Sequence, residues 1–302
     1  QKEVHPGQLV TVCIKAVNRH VIFLGKQQFQ IGVAYLNTPG NEKEMLQCDG
    51  VTEKVQQTMA EFSPKHCGIA QIDIEKVFLQ DYLGLIGTQK NFRGSCQLAV
   101  LPEPVLSTRI RTGMEKQQEY RYSAVADDDS DILDLRAFRP GDNLNHIHWN
   151  LSLRTDDLIV RQYGEQIDVK KVILVDLSIL NTAQYRSRMD AVYTAVASIA
   201  NLYVENEVNT LILAWNGQKQ SAEYLEVHDR TELNRAMIRL MQIPCSSRAG
   251  EHAAAVYLKD IEAQGQQALF VTAGSYENNK VRIVNVEKIQ LQELIDELWE
   301  KI

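Results

Sequence analysis

The sequence has few of the features that mark membrane-spanning, redox-active or nucleic-acid-binding chains. Its five cysteines are scattered, and no pair has the C-x-x-C spacing of zinc sites and redox motifs. No apolar run reaches the roughly 18 to 20 residues of a transmembrane helix, and the start has no signal-peptide pattern. No long Lys/Arg block offsets a net charge of −7. We therefore expect no nucleic-acid partner and a reducing compartment, although the sequence leaves open one or two disulfides in the N-terminal half.

Catalytic motifs are also absent from the sequence. The chain has no glycine-rich phosphate loop, no G-x-S-x-G elbow, no H-E-x-x-H and no Cys/His nucleophile signature. The acidic run 126-ADDDSD-131 offers several carboxylates, but such a run is more typical of a solvated loop than of acid–base catalysis. We therefore predict a protein without enzymatic activity.

The sequence does contain enough apolar residues for two domains. Its 302 residues are 44% hydrophobic and 24% charged, which is typical of a soluble globular chain. In residues 1–106, short period-two stretches broken by turn residues predict a β-sandwich, which we expect to be immunoglobulin-like. In residues 168–302, buried-type strands alternate with helices and predict a doubly wound α/β sheet. Residues 107–167 are predicted to connect these domains.

The predicted elements of the C-terminal domain follow from apolar periodicity and capping residues. They are a strand at 172–176, a helix through 189–203, strands at 210–215 and 222–227, a helix capped by Asp229 or Thr231, a helix at 253–263, strands at 268–273 and 281–286, and a helix at 290–299.

Asp176 is the most informative polar residue of this domain, because it ends the first predicted strand. Ligands of open α/β sheets bind where the carboxyl ends of the strands meet. Asp176 and Ser178 begin the spacing D-x-S-x-S, which resembles the metal-ion-dependent adhesion site of von Willebrand factor A domains. In such a site a carboxylate and hydroxyls give Mg²⁺ its oxygen ligands. Here Leu180 occupies the last position, and Ala273 stands where those domains commonly place an aspartate.

Two interpretations of Asp176 and Ser178 therefore stay open. They are either part of a degenerate Mg²⁺ site, completed by a hydroxyl of Ser246 or Ser247, or they cap the following loop and helix. The second interpretation needs no further ligand, so we expect no required cofactor.

His146 and His148 form a second candidate metal site. Residues two apart on a strand point the same way, and Asp142 is the nearest candidate for a third ligand. The sequence gives no evidence that a third ligand joins the two histidines. We therefore favour a role for them in polar packing over metal binding.

The stretch 136-RAFRPGDNLNHIHWN-150 carries a family resemblance. It resembles the signature R-x-Y/F-x-P-G-D-x-x-R-x-I-x-W of the bacterial family named domain of unknown function 58 (DUF58), with Asn145 in place of the usual Arg and Asn150 in place of a common Lys. Four further stretches resemble the family in the same order, although Tyr82 replaces a usual Pro: 67-CGI-69 with 81-DYLGL-85, 100-VLPE-103, Arg154 with 158-LIVRQY-163, and 172-VILVDLS-178.

The resemblance implies a von Willebrand A-like C-terminal domain, two transmembrane helices upstream of Gln1, and a gene neighbour that encodes a MoxR-type AAA ATPase. We therefore expect a membrane-anchored binding or adaptor protein, with this portion in the cytoplasm, that helps the ATPase to assemble or remodel a protein client. Recognition is expected at the carboxyl edge of the sheet, near Asp176, Thr272 and Ser275.

The signature itself can be interpreted physically. Its candidate residues are Arg136, Arg139, Pro140, Gly141, Asp142, Ile147, His148 and Trp149. The Pro-Gly-Asp sequence predicts a turn between a strand that ends near Phe138 and a strand that carries Ile147 and Trp149. The arginines can bind a carboxylate or backbone carbonyls, and Trp149 is predicted to contribute a large buried face. We predict that this stretch locks the two domains together, with a partner-binding surface as the alternative.

Overall fold

The computed structural model describes most of the chain as strands, helices and the loops that join them. The described residues are 4–17, 24–36, 43–51, 55–107, 132–139, 147–155, 157–163, 170–178, 184–261, 268–274, 276 and 281–301. Contacts divide the chain into one unit of Gln1–Ile110 with Lys170–Ile302 and a second unit of Arg111–Val169. The second unit differs by a few residues from the predicted connecting segment 107–167. The two domains predicted on either side of that segment form a single unit.

The N-terminal part of the first unit is a pair of antiparallel sheets. Its strands are β1 (Val10–Val17), β2 (Leu24–Tyr35), β3 (Glu44–Val51), β4 (Val55–Phe62), β5 (Gly68–Asp81) and β6 (Gly87–Val100). One sheet has the order β3-β2-β5-β6, and the other pairs β1 with β4. Ile14 of the smaller sheet and Phe29 and Ile72 of the larger sheet share one buried cluster, so the sheets face each other. The immunoglobulin-like topology remains a prediction.

The alternation of side chains explains why these segments are strands. Phe29 and Ile31 on β2 are buried, whereas Gln28 and Gln30, which alternate with them, are partly exposed. The cysteines follow no such rule. Cys48 and Cys67 are buried, Cys245 is partly buried, and Cys13 and Cys96 are exposed. All five are free thiols.

The second unit contains the antiparallel strands β7 (Ile132–Ala137) and β8 (Ile159–Tyr163), with the short helix α1 (Trp149–Thr155) between them. Ile147 forms an isolated antiparallel bridge with Val160, and both side chains are buried.

The C-terminal part of the first unit is a five-stranded sheet with helices on both faces. Its strands are β9 (Lys171–Val175), β10 (Thr210–Asn216), β11 (Ser221–Val227), β12 (Ala268–Thr272) and β13 (Arg282–Asn285). Its helices are α2 (Tyr185–Glu205), α3 (Arg230–Gln242), α4 (Ala249–Val256) and α5 (Leu291–Glu300), with a π-helical turn at Tyr257–Ile261 after α4. None of the described helices is long and apolar enough to cross a membrane.

The topology of this sheet creates a switch point beside β9. The strand order is β11-β10-β9-β12-β13; β11 is antiparallel to β10, and the other neighbours are parallel. Ile173 and Val175 of β9 pack in the cluster of α2, α3 and α5, whereas Val172 and Leu174 pack with Ala253 of α4. The chain leaves β9 toward β10 and later returns to β12 on its other side. Such a reversal opens a crevice at the carboxyl ends of the two central strands.

Helix α2 joins the sheet to the N-terminal strands. Thirteen of its 21 residues are buried, because Cys67, Ile69 and Leu101 pack in the same cluster as the helix and the sheet. Asp190 on α2 accepts a hydrogen bond from the Cys67 N–H at 2.8 Å and contacts His66 Nδ1 at 2.7 Å. Burial raises the pKa of Asp190, and the hydrogen bonds from His66 and Cys67 oppose that rise.

The raised pKa of Asp190 predicts a definite pH dependence. A carboxyl group whose pKa is raised by folding holds its proton more tightly in the folded state. Its contribution to stability is therefore largest at acid pH, and it falls as the pH rises from 3.8 through the raised pKa. Asp190→Asn is similar in shape and cannot ionise. We expect the free energy of unfolding of the wild type, relative to Asp190→Asn, to fall with rising pH across this window.

Denaturant unfolding of both proteins over a pH series measures this difference. A wild type that gains stability over Asp190→Asn with rising pH would contradict the expectation and would show that the His66 contact outweighs burial.

Candidate binding site at the carboxyl end of the parallel sheet

Asp176 lies at the switch point between β9 and β12. Its N–H donates to the Val271 carbonyl at 3.0 Å, which continues the strand pairing one residue beyond β9. Its Oδ1 accepts the Ser178 N–H at 3.0 Å, and its Oδ2 accepts the Thr272 hydroxyl at 2.6 Å. Oδ2 therefore joins the ends of β9 and β12, and Oδ1 orders the turn that follows β9.

Ser178 connects the same strand end to the loop before α4. Ser178 forms an isolated parallel bridge with Ser246, and the Ser246 N–H donates to the Leu177 carbonyl at 3.3 Å. The Ser178 hydroxyl accepts the Gly250 N–H at 3.1 Å. The loop that supplies Ser246 is the one in which the sequence predicted a further hydroxyl.

Two glycines allow the close approach of these loops. A Cβ added to Gly250 would lie 2.4 Å from Asp176 Oδ1, and a Cβ added to Gly217 would lie 2.3 Å from the Ser246 Cβ. Real Cβ atoms essentially never make such short contacts. Sequence reasoning did not identify either glycine as part of the site. An isolated Gly inside a helical pattern, as at Gly250, is the sequence signal that could have pointed to it.

Thr272 is a buried residue that supports the site through hydrogen bonds. Its side chain is completely buried, and its hydroxyl accepts the Gly274 N–H at 2.9 Å while it donates to Asp176. The Asn285 side chain donates to the Gly274 carbonyl at 2.9 Å. No surface of the Thr272 side chain is accessible, so it supports the edge from within, and the recognition expected near it stays a prediction. Ser275, predicted beside it, lies outside the described residues.

The described residues around Asp176 supply only part of an oxygen shell for Mg²⁺. Such a shell needs about six ligands at short distance, often including more than one carboxylate. Asp176 is a single carboxylate, and both of its oxygens already accept hydrogen bonds. Ala273, at the position where an aspartate was considered, is buried. Within the described part of the chain, no three His, Cys, Asp or Glu side chains are grouped for metal binding.

The thiols near the site and near α2 are poor nucleophiles. Burial raises the pKa of Cys245, and the charge of Asp176 adds to that rise. Burial also raises the pKa of Cys67 to about 12. Because the thiolate is the nucleophile, a raised pKa lowers the nucleophilicity of both side chains. The network around Asp176 can hold loops in place.

The accessible surface beside the site is formed by α4 and the loop that precedes it. Ser247, Arg248 and Glu251 are exposed. Arg248 has a left-handed backbone with φ of 59° and contacts Glu251 at 3.9 Å. The exposed His252 ring stacks on Trp215 of β10 at 4.9 Å with an interplanar angle of 26°. Sequence reasoning did not identify this stacked pair.

The structure describes only part of the predicted signature in the second unit. Pro140, Gly141, Asp142 and His146 lie outside the described residues, as does the side chain of Arg136; Arg139 is exposed. The backbone of β7 pairs with β8, and Ile147 bridges Val160 of β8. The role of the Pro-Gly-Asp turn stays a prediction.

Trp149 differs most from expectation. It is the first residue of α1, not part of a strand, and 57% of its surface is exposed. The expectation of a buried Trp149 is therefore wrong, and Ile147, which is only 3% exposed, is the buried residue. The locking role predicted for this stretch stays a prediction.

His148 has a structural role at the start of α1. Its carbonyl accepts the N–H groups of Leu151 and Ser152, each at 3.0 Å, and its Nδ1 accepts the Leu151 N–H at 3.2 Å. A ring nitrogen that accepts a backbone N–H has no lone pair left for a metal ion. The arrangement favours capping over metal binding for this histidine.

The described fold is thus a pair of antiparallel sheets packed on a doubly wound α/β sheet, whose switch point is closed by internal hydrogen bonds.

The family described as protein of unknown function DUF58 matches residues 134–281, just under half of the chain. The match supports the DUF58 assignment predicted from the sequence motifs. No curated protein matches the chain.

Proposed function

We propose that this chain is a non-enzymatic binding protein that recognises a protein client through the surface around the switch point. The observation that carries the proposal is the network of Asp176. Its carboxylate joins the ends of β9 and β12, and Ser178 attaches the loop before α4 to the same strand end. A site built on rigid elements presents a defined surface, which specific recognition requires.

The chemistry of the surrounding surface supports recognition of a protein. Arg248 and Glu251 are exposed charges of opposite sign, and the stacked His252 and Trp215 lie on the elements that flank the site. Arg and aromatic side chains are enriched at protein interfaces. Near the site, the pKa of the partly buried Cys245 thiol is raised, and each carboxylate oxygen of Asp176 accepts a hydrogen bond, so these two side chains have structural roles.

The proposal includes a partner and a location. In the DUF58 family, whose motifs this chain resembles, a membrane anchor lies upstream and a MoxR-type ATPase is a common gene neighbour. We propose that the parent protein is anchored in the membrane, with this portion in the cytoplasm, and that it acts with such an ATPase in assembling or remodelling a client. The match of residues 134–281 to the DUF58 family supports this part of the proposal.

Association of the full-length protein with its neighbouring MoxR-type ATPase tests the proposal. We expect a pull-down that is lost when the ATPase domain that contacts this protein is removed. We also expect Arg248→Glu to weaken the pull-down about tenfold while the melting temperature stays unchanged. Lys15→Glu makes the same charge change on the exposed face of β1, and it serves as the matched control. Full-length proteins that do not associate would contradict the proposal.

A second function, a Mg²⁺-dependent adhesion-type module or metal-dependent enzyme, is favoured by one observation. The Ser246 hydroxyl oxygen is buried and has no hydrogen-bond partner in the described part of the chain, and its backbone pairs with Ser178. A hydroxyl in that position is what a hydroxyl-rich cation site would use. Metal titration separates the two functions.

A further inference from the structure

The tip of the β5–β6 hairpin, residues 82–86, exposes an unusual amount of apolar surface. Tyr82, Leu83, Leu85 and Ile86 are 82%, 73%, 79% and 73% exposed. Phe78 and Phe92, on the strands below the tip, are also exposed large hydrophobics. Single exposed apolar residues are common on soluble proteins, whereas a contiguous group of this kind marks an interaction site.

The tip follows the last described pair between β5 and β2. That pair joins Asp81 and Leu24, and no described strand pairs with residues 82–86. The turn is closed by its own backbone: the Asp81 N–H donates to the Ile86 carbonyl at 2.9 Å, and the Gly84 N–H donates to the Asp81 carbonyl at 3.1 Å. The exposed side chains are thus held on a preformed, convex turn.

The charge around the tip differs in sign from the rest of the chain. Residues 82–89 contain no charged side chain. The hairpin between residues 76 and 93 has three basic residues, Lys76, Lys90 and Arg93, and one acidic residue, Asp81, in a chain whose net charge is −7. The carboxylate of Asp81 is occupied within the turn, because its Oδ1 accepts the Ile86 N–H at 2.9 Å. An apolar tip on strands that carry basic side chains is complementary to an anionic surface with an apolar interior.

A lipid bilayer fits these properties better than a protein groove does. A protein interface carries about one hydrogen bond per 100–200 Å² together with a polar rim. The four exposed side chains of the tip offer only one hydroxyl, on Tyr82. A bilayer needs no matching groove, and tyrosine is enriched where the headgroups meet the hydrocarbon. Lys90 lies four residues from Ile86, about 13 Å along an extended strand, which suits contact with phosphates while the tip is inserted.

We propose that the β5–β6 hairpin tip inserts into the interface of an anionic lipid bilayer. The four apolar side chains enter the boundary between headgroups and acyl chains, and Lys76 and Lys90 contact the anionic headgroups. The tip remains at the interface and does not span the hydrocarbon, since a turn has too few internal hydrogen bonds to cross it.

This site is separate from the membrane anchor in the proposed function. Val4 pairs with Val100, at the opposite end of β6 from the tip. If the anchor and the hairpin tip bind the same membrane, the chain between the anchor and Val4 must span the length of β6. That strand has 14 residues and is about 45 Å long. The test below uses the chain without any anchor, so either proposal can fail without the other.

Vesicle flotation of this chain tests the insertion. The vesicles contain phosphatidylcholine alone or phosphatidylcholine mixed with phosphatidylserine. We expect binding to the mixed vesicles, and a fall of at least about tenfold in the partition coefficient for Leu83→Asp/Leu85→Asp, because each charged residue opposes insertion of the tip. Leu9→Asp/Met59→Asp adds the same two charges at other exposed apolar residues and should bind like the wild type.

Two further measurements examine the chemistry of binding. Lys76→Gln and Lys90→Gln should each weaken binding to the mixed vesicles by about fivefold, and raised salt should weaken it further. In a Tyr82→Trp variant, the fluorescence emission of the added tryptophan should shift to shorter wavelength when mixed vesicles are present. Tip variants that unfold would be recognised by their melting temperature, and the lysine variants and the Tyr82→Trp emission would then carry the test.

Several results would overturn the proposal. These are a wild-type chain that binds neither kind of vesicle, a tip variant that binds as well as the wild type, and equal binding to neutral and anionic vesicles. Self-association that depends on the tip, without vesicle binding, would assign the tip to a second copy of the chain and would also overturn it.

Discussion

Replacing Gly250 by valine should lower the free energy of unfolding by about 2 to 4 kcal/mol, although glycine is a poor helix former. A Cβ at this position would lie 2.4 Å from Asp176 Oδ1 and 2.6 Å from its Cγ. Asp176 cannot turn aside without losing its hydrogen bonds to Ser178 and Thr272. Each hydrogen bond to a charged group contributes roughly 1.5 to 3 kcal/mol, and the hydroxyl of Thr272 is buried. Denaturant unfolding measures the loss.

The controls for Gly250→Val test its cause. At Gly87 a new Cβ would meet its nearest neighbour at 3.7 Å, an ordinary contact, so Gly87→Val should change stability by less than about 1 kcal/mol. In Gly250→Val/Asp176→Ala the clashing carboxylate is absent, so the double variant should lose less than the sum of the two single losses. Additive losses would show that the contact with Asp176 is not the cause.

Ile147→Ala should destabilise the second unit by about 2 to 5 kcal/mol, whereas Trp149→Ala should cost less than about 1 kcal/mol. Ile147 is 3% exposed and bridges Val160, which is also buried, so truncation leaves a cavity in this small core. Trp149 is 57% exposed at the first position of α1. Hydrogen exchange of the β7 and β8 amides measures the local stability of this unit. A larger loss of stability for Trp149→Ala than for Ile147→Ala would contradict this prediction and would support the buried Trp149 predicted from the sequence.

The elements of the C-terminal domain were predictable because they follow local rules. The continuous apolar run at 172–175 is the buried strand β9, and the periodic helix through Met189 is α2. The cap predicted for the next helix is confirmed, since Asp229 accepts the Glu232 N–H at 2.7 Å. The helix predicted at 253–263 begins earlier, at Ala249, because the Gly near its start obscured the helical pattern. The predicted end of this strand also located Asp176 correctly at the carboxyl edge of the sheet.

The parts that could not be predicted depend on residues far apart in the sequence. An isolated Gly in a helical pattern marks position 250 as unusual, but the residue that requires it, Asp176, is 74 residues away. Asp190 joins α2 to His66 and Cys67, more than 120 residues earlier, so the packing of both domains into one unit could not be read from either domain. Trp149 was misplaced because alternating apolar residues resemble a strand, whereas His148 caps a helix there.

The central claim is that Asp176 joins the strand ends and loops of the switch point, and that it does not hold a metal ion. Thermal unfolding of the wild type and of Asp176→Ala, each with and without millimolar Mg²⁺ or Mn²⁺, tests this claim most directly. We expect Asp176→Ala to lower the melting temperature in the absence of metal and neither protein to respond to added metal. A rise in the melting temperature of the wild type with metal, lost in Asp176→Ala, would contradict the claim and establish a metal-binding module.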